Sequence, residues 1–218
     1  MFIIIKDFGR FLVSKKESNQ ILLSNFKFLA NALFLKWIIF SVFLLLNFLV
    51  FNQSLPKSNS VFGEDNIIKI FLNVVILAPI LEELVFRYHI GNKLKHIVFS
   101  AIASIILFYD SLIVLSVLLL FFLILSFFLK NKIKVKNLIL VYTSSIMFGV
   151  LHVTFTENFY LLENLTNSIF VFITKFFGGL LFCYVFDKKG IFLSIILHML
   201  WNLVPFLLFF LRNRILEF

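Results

Sequence analysis

Apolar residues fall in long runs, at about 30–51, 67–90, 94–109, 112–129, 138–158, 165–186 and 191–211, with short polar breaks between them. Crossing about 30 Å of hydrocarbon takes a helix of roughly 20 residues, so each run is a candidate span. The pattern predicts an all-α fold, a polytopic transmembrane helical bundle of about seven spans. The breaks are 52–66, 91–93, 110–111, 130–137, 159–164 and 187–190, and the third is so tight that the runs around it could form one re-entrant pair. No repeat or linker marks a second soluble domain. Residues 1–28 read as a basic cytoplasmic or interfacial segment, and 29–218 as one transmembrane domain whose chemistry-bearing core covers about 66–210.

Composition supports the membrane reading. Hydrophobic residues make up 61% of the 218 positions, 33 of them Phe, with a mean hydropathy of +1.06. A soluble domain is only about half apolar. The net charge of +9 would suggest nucleic acid in a soluble protein; here the basic residues cluster between apolar runs, where they orient a membrane protein, and no nucleic-acid partner is expected. The start, Met1 to Asp7, lacks the basic region, apolar stretch and cleavage site of a secretory signal. The single Cys183 permits no internal disulfide and reads as a small packing residue.

With the N-terminus in the cytoplasm, 15 of 20 basic residues fall on the inner side, including Lys36, Arg87, Lys93, Lys130 and Lys188. The outer side holds Lys57, Arg212 and Arg214, while Lys69 and Lys175 lie within spans. The excess of inner positive charge predicts a multi-pass protein with its N-terminus inside and its C-terminus outside, and the richness in Phe, Ile, Lys and Asn suggests an AT-rich bacterial genome, hence the bacterial plasma membrane.

Several polar residues interrupt the runs. Glu82, Glu83 and Arg87 stand within six positions of the second run, shortly after Pro79. A charge near the centre of a membrane helix costs about 2.5–3.5 kcal/mol, so three close together imply a use. Glu83 and Arg87, four apart, can pair on one face and leave Glu82 free; a cap wetted by headgroups is the simpler alternative. Pro79 is expected to kink the helix. The fifth run holds Phe148, Gly149 and His152, with Gly149 allowing close helix approach. In the seventh, His198 and Asn202 share a helical face and must either line a polar cavity or bond to a neighbouring helix.

Counting from the basic helix ends at about 1.5 Å per residue puts Glu82, His198 and His152 roughly 16, 14 and 24 Å deep. Glu82 and His198 then share the midplane, and His152 lies further out by an amount that tilt could reduce. This count requires the second helix to continue past Arg87 and bury it.

In these residues the chain resembles the CAAX-protease and bacteriocin-processing (CPBP, also called Abi) family of intramembrane proteases. Glu82, Glu83 and Arg87 resemble its Glu-Glu-x-x-x-Arg motif, Phe148 and His152 its Phe-x-x-x-His motif, and His198 and Asn202 its His-x-x-x-Asn motif. Gly178, Gly179 and Tyr184 are also similar to the family's context ahead of the third motif. The likeness covers about residues 72–205. It implies an intramembrane endopeptidase in which Glu82, with His152, activates a water, His198 and Asn202 stabilise the oxyanion, and Glu83 with Arg87 positions Glu82. It implies membrane lipid and a membrane-associated peptide or protein substrate as partners, the substrate being either a prenylated Cys-a-a-X tail or a leader or bacteriocin precursor. Glu82, His152 and His198 could also supply a carboxylate and two imidazoles to zinc, although no His-Glu-x-x-His helix is present. A metal-free glutamate mechanism fits the same residues, and no cofactor is required.

Two other functions use the same residue types. Buried Glu and His chains serve proton-coupled transporters, but the paired broken helices and inverted repeats of those folds are not evident. The other is a membrane scaffold or immunity protein without catalysis, which the complete set of motifs disfavours.

Overall fold

The computed structural model describes residues 2–13, 23–51, 66–133, 135–154 and 165–216. Of the basic residues counted for orientation, Lys15, Lys16 and Lys134 on the inner side and Lys57 on the outer lie outside the described residues. The order is α1 (Phe2–Val13), α2 (Asn25–Phe51), α3 (Ile67–Phe71), a π-helical segment (Leu72–Leu77), α4 (Ala78–Phe86), a 3-10 turn (Tyr88–Gly91), α5 (Leu94–Leu107), α6 (Leu112–Lys130), α7 (Asn137–Thr154), α8 (Leu165–Lys189) and α9 (Ile191–Leu216). The described residues contain no strand.

The chain is an all-α membrane bundle, and five helices, α2, α6, α7, α8 and α9, are long and apolar enough to cross a bilayer. Along α6, Ile113, Val117, Leu120, Leu123 and Phe127 are all exposed; an apolar face of that size belongs against lipid. The seven-span count does not follow from the helices. The third run yields only the 14 residues of α5, about 21 Å of helix, short of the hydrocarbon thickness. The second run is helical from Ile67 to Phe86 but passes through a π segment and then ends at Arg87.

That π segment has a cause in the sequence. At its end the Ala78 N–H bonds the Asn73 carbonyl, five residues back. In the same register the next carbonyl, that of Val74, would take the N–H of residue 79, and Pro79 has none. The kink expected from Pro79 is therefore realised as a widened turn upstream of it, with one backbone acceptor left over.

Helices α7 and α8 meet through glycine. A Cβ on Gly149 would come within 3.1 Å of the Phe172 backbone oxygen, and one on Gly179 within 3.2 Å of the Ser145 Cα. Small residues at such crossings bring backbones together where no hydrophobic effect separates helix from lipid. The close approach expected at Gly149 is present. Buried Cys183 lies on the same interface, 3.7 Å from the Ser145 hydroxyl, as the packing residue it was read to be. Gly190, at φ 84°, turns the chain from α8 into α9.

The N-terminal segment is more than a basic apron. Helix α1 buries Ile4, Asp7, Phe8 and Phe11. Phe8, Phe11 and Phe28 surround the ring of Tyr184, with centroids 5.4, 5.5 and 5.9 Å away. The Tyr184 hydroxyl donates to Asp7 Oδ2 at 2.9 Å, and Lys188 Nζ approaches the same oxygen at 3.8 Å. Tyr142 on α7 donates its hydroxyl to the Leu12 carbonyl at 2.9 Å. Tyr184 is thus the peg on which α1 is fixed to α8. A buried hydrogen bond to a charged group is worth about 1.5–3 kcal/mol. Asp7→Ala should lower stability in detergent by about that much, and Tyr184→Phe by a similar amount. The two losses should not add in the double variant, as thermal or denaturant unfolding of all three would show.

Candidate active site

Glu83 is fully buried, and each of its oxygens is occupied. Oε1 accepts the Nδ1–H of His198 at 2.9 Å. Oε2 accepts the Ser194 hydroxyl at 2.6 Å and faces Arg87 Nε at 3.6 Å. Burying a carboxylate is costly without a cation and hydrogen bonds, and Glu83 has both. Ser194 and His198 lie four apart on α9, so one face of that helix supplies two of the three partners. Ser194 is a site residue that the motifs did not mark, although the stripe Ser194, His198, Asn202 is readable at helical spacing.

Arg87 is not a headgroup-wetted cap. Its side chain is 0% exposed, and its guanidinium carbon stands 4.2 Å from the ring centre of Phe148 and 5.2 Å from that of Phe182. Among the described residues none of its three nitrogens has a hydrogen-bond partner; Coulomb attraction to Glu83 and the aromatic faces hold it. The helix was expected to run past Arg87; α4 instead ends at Phe86, and the chain turns through the 3-10 segment. Arg87 stays buried because α7 and α8 cover it with Phe148 and Phe182.

Glu82 points elsewhere, as expected of an adjacent helical position. His198 Nε2 is 3.6 Å from its Oε2 and His152 Nε2 is 3.9 Å from the same atom. The depth difference counted along the helices is absent in space, since both imidazoles reach one oxygen. Tautomers follow from the outer nitrogens. His152 Nδ1 is 2.8 Å from the Phe148 carbonyl, which can only accept, so that nitrogen carries the proton. His198 Nδ1 donates to Glu83 in the same way. In the neutral rings both Nε2 atoms are therefore acceptors, and they face a carboxylate oxygen that is itself an acceptor without a hydrogen-bond partner. Such a convergence is complementary to a donor placed between the three.

Imidazoles whose other nitrogen is bound to a carboxylate and to a carbonyl are the usual outer support of metal ligands, zinc included. Among the described residues no group of three or more His, Cys, Asp and Glu side chains is disposed to hold a metal ion.

Asn202 lies one turn beyond His198, and its amide nitrogen donates to the Val74 carbonyl at 3.0 Å. That carbonyl is the acceptor that Pro79 leaves over. Asn202 thus ties α9 to the π segment, which is the helix-joining alternative to an oxyanion role, and one amide hydrogen is committed to it. Lys36 and Lys175 also border this region. Lys36 had been assigned to the inner basic side, but it is 94% buried, its residual exposure being 6%.

Residues 64–204 match the family model described as Rce1-like, Type II CAAX prenyl endopeptidase Rce1-like. No curated protein and no solved structure matches the chain.

Asn202→Ala should cost about 1–3 kcal/mol of stability by leaving a buried carbonyl without a donor. In a Pro79→Ala background the restored N–H can reach that carbonyl, and the cost of Asn202→Ala should shrink to less than half. Unfolding of the four proteins checks this cycle; equal costs in the two backgrounds would show that Asn202 does not serve the Pro79 carbonyl.

Proposed function

The chain belongs to the Rce1-like family of type II CAAX prenyl endopeptidases, and from that premise we propose that it hydrolyses a peptide bond of a CAAX-type, membrane-associated substrate with Glu82 as general base. The observation that carries this reading is the convergence of Glu82 Oε2 with two imidazole Nε2 atoms, at 3.6 and 3.9 Å. A water held there donates to two of the three acceptors and presents its lone pair to a carbonyl. Glu82 takes a proton from it, the oxygen forms a bond to the carbonyl carbon, and the carbon–nitrogen bond breaks. The proton then passes from Glu82 to the leaving amine.

Positioning falls to the buried layer behind. Glu83 fixes the His198 ring, and Arg87 keeps Glu83 ionised in an apolar setting. Of the two residues that the resemblance assigns to the oxyanion, His198 presents Nε2 as an acceptor in the tautomer that Glu83 holds. Asn202 has one amide hydrogen left to contribute. The proposed mechanism uses no metal. The N-terminus faces the cytoplasm on this reading. Burial of Lys36 and Arg87 takes two residues out of the inner basic tally and leaves the excess standing, and a C-terminal reporter should read extracytoplasmic.

In proteoliposomes, Glu82→Gln should lower cleavage of a farnesylated CAAX peptide by at least about 100-fold while the protein stays inserted, since a positioned base contributes about 10²–10⁴. Activity of the unaltered protein should survive extensive chelation. Full activity in Glu82→Gln would refute the assignment of the base, and loss on chelation reversed by zinc would refute the metal-free mechanism.

A further inference from the structure

A cavity of about 400 Å³ lies between α2, α7, α8 and α9. Its walls are largely apolar, including Trp37, Phe40, Trp201 and Pro205, yet Lys36, Lys175 and His198 also line it. His198 is the link to the reaction centre, since the same ring reaches Glu82. Lys36 is held in place by the bundle: its ammonium stands 3.7 Å from the ring centre of Phe182 and 4.3 Å from that of Trp201. Gly178 lies beside it, where an added Cβ would be in ordinary contact with Lys36 Cε at 3.5 Å. Lys175 interacts electrostatically with both Lys36 and Glu82.

Charge balance gives the pair a meaning. Arg87 is matched by Glu83, and Lys175 is drawn to Glu82. The aromatic faces around Lys36 attract its ammonium without neutralising it. Lys36, Lys175 and Arg87 against Glu82 and Glu83 leave one positive charge in excess when all are ionised. An unmatched charge in a low-dielectric interior is costly, and lysines within membrane spans mark function when they face a cavity. A ligand that is apolar along its length and anionic at one end would complement such a cavity.

We propose that Lys36 and Lys175 form a subsite that holds the free C-terminal carboxylate of the substrate, so that the enzyme selects peptides whose chain ends just beyond the cleaved bond. The inference rests on the protease reading for the source of the carboxylate. It gives a use to two lysines that lie outside every matched motif and within apolar helices. It also explains how a membrane protease would spare internal segments of other membrane proteins, which carry no terminal charge.

The test is binding of a dansylated, S-farnesylated peptide ending Cys-Val-Ile-Ser, as its free acid and as its amide, to the Glu82→Gln protein in nanodiscs of zwitterionic lipid. The acid should bind at least about tenfold more tightly than the amide, as a charge-assisted contact would give. That preference should fall below about threefold in Lys175→Met and Lys36→Met and persist in Lys36→Arg. If Lys36→Met does not fold, Lys175→Met decides the matter. Equal binding of acid and amide would overturn the subsite, as would a preference that survives both methionine variants. Loss of the preference on adding phosphatidylglycerol would assign the lysines to a lipid headgroup instead. Acid-selective binding without cleavage by the unaltered protein would refute the protease reading and leave the subsite intact. Cleavage of both peptides with equal KM would do the reverse.

Discussion

The hydrogen bond from His198 Nδ1 to Glu83 Oε1, 2.9 Å long inside a fully buried cluster, is the contact on which the rest of the site depends. It joins α4 to α9, sets the tautomer of His198 and places a negative charge where Arg87 needs one. Ser194 and Arg87 complete the cluster, and Phe148 and Phe182 seal it. A buried ion pair of this kind is seldom a net source of stability, since desolvation consumes most of the Coulomb gain. Its value here is specificity: only one registry of α4 against α9 satisfies Glu83, and that registry brings His198 Nε2 to Glu82.

A second tie keeps the registry over a longer stretch. From Ser194 to Asn202, α9 runs antiparallel to the irregular helix, contacting Glu83 at one end and Val74 at the other. Pro79 widens the helix between those points and leaves a carbonyl that Asn202 takes up. The irregularity and the side chain that repairs it are one device, and it lies beside the reacting groups. Broken helices at membrane depth are tolerated only where protein or a polar cavity receives the freed backbone groups. His198 also lines the cavity that holds Lys36 and Lys175, so the proposed carboxylate subsite and the proposed water site share one ring.

Much of this was legible in the sequence, and what was not has physical reasons. Charges inside apolar runs are expensive, so Glu82, Glu83, Arg87, His152 and His198 announce themselves, and helical spacing alone separates the paired Glu83 from the free Glu82. Span count was less readable. Run length does not distinguish a crossing helix from α5, and the run that carries the glutamates is divided by a π segment whose extent Pro79 hints at without fixing. Ser194 was hidden because a serine in a membrane helix usually bonds its own backbone. Lys36 was misplaced because a lysine near the end of an apolar run is expected to reach for the surface, whereas it turns inward onto the rings of Phe182 and Trp201, which lie far along the chain. The docking of α1 through Asp7 and Tyr184 likewise depends on long-range pairing that no local pattern records.

The imidazoles of His152 and His198 are both held as Nδ1–H tautomers, with Nε2 turned as an acceptor toward Glu82. Only four histidines occur in the chain, so ¹⁵N NMR of histidine-labelled protein in nanodiscs, assigned by single substitution, reads this directly. His152 and His198 should both show a protonated Nδ1 and an unprotonated Nε2 near neutral pH, and Glu83→Gln should disturb the His198 signals while sparing those of His152. Nε2–H tautomers at both rings, or a His198 spectrum indifferent to Glu83→Gln, would contradict the account.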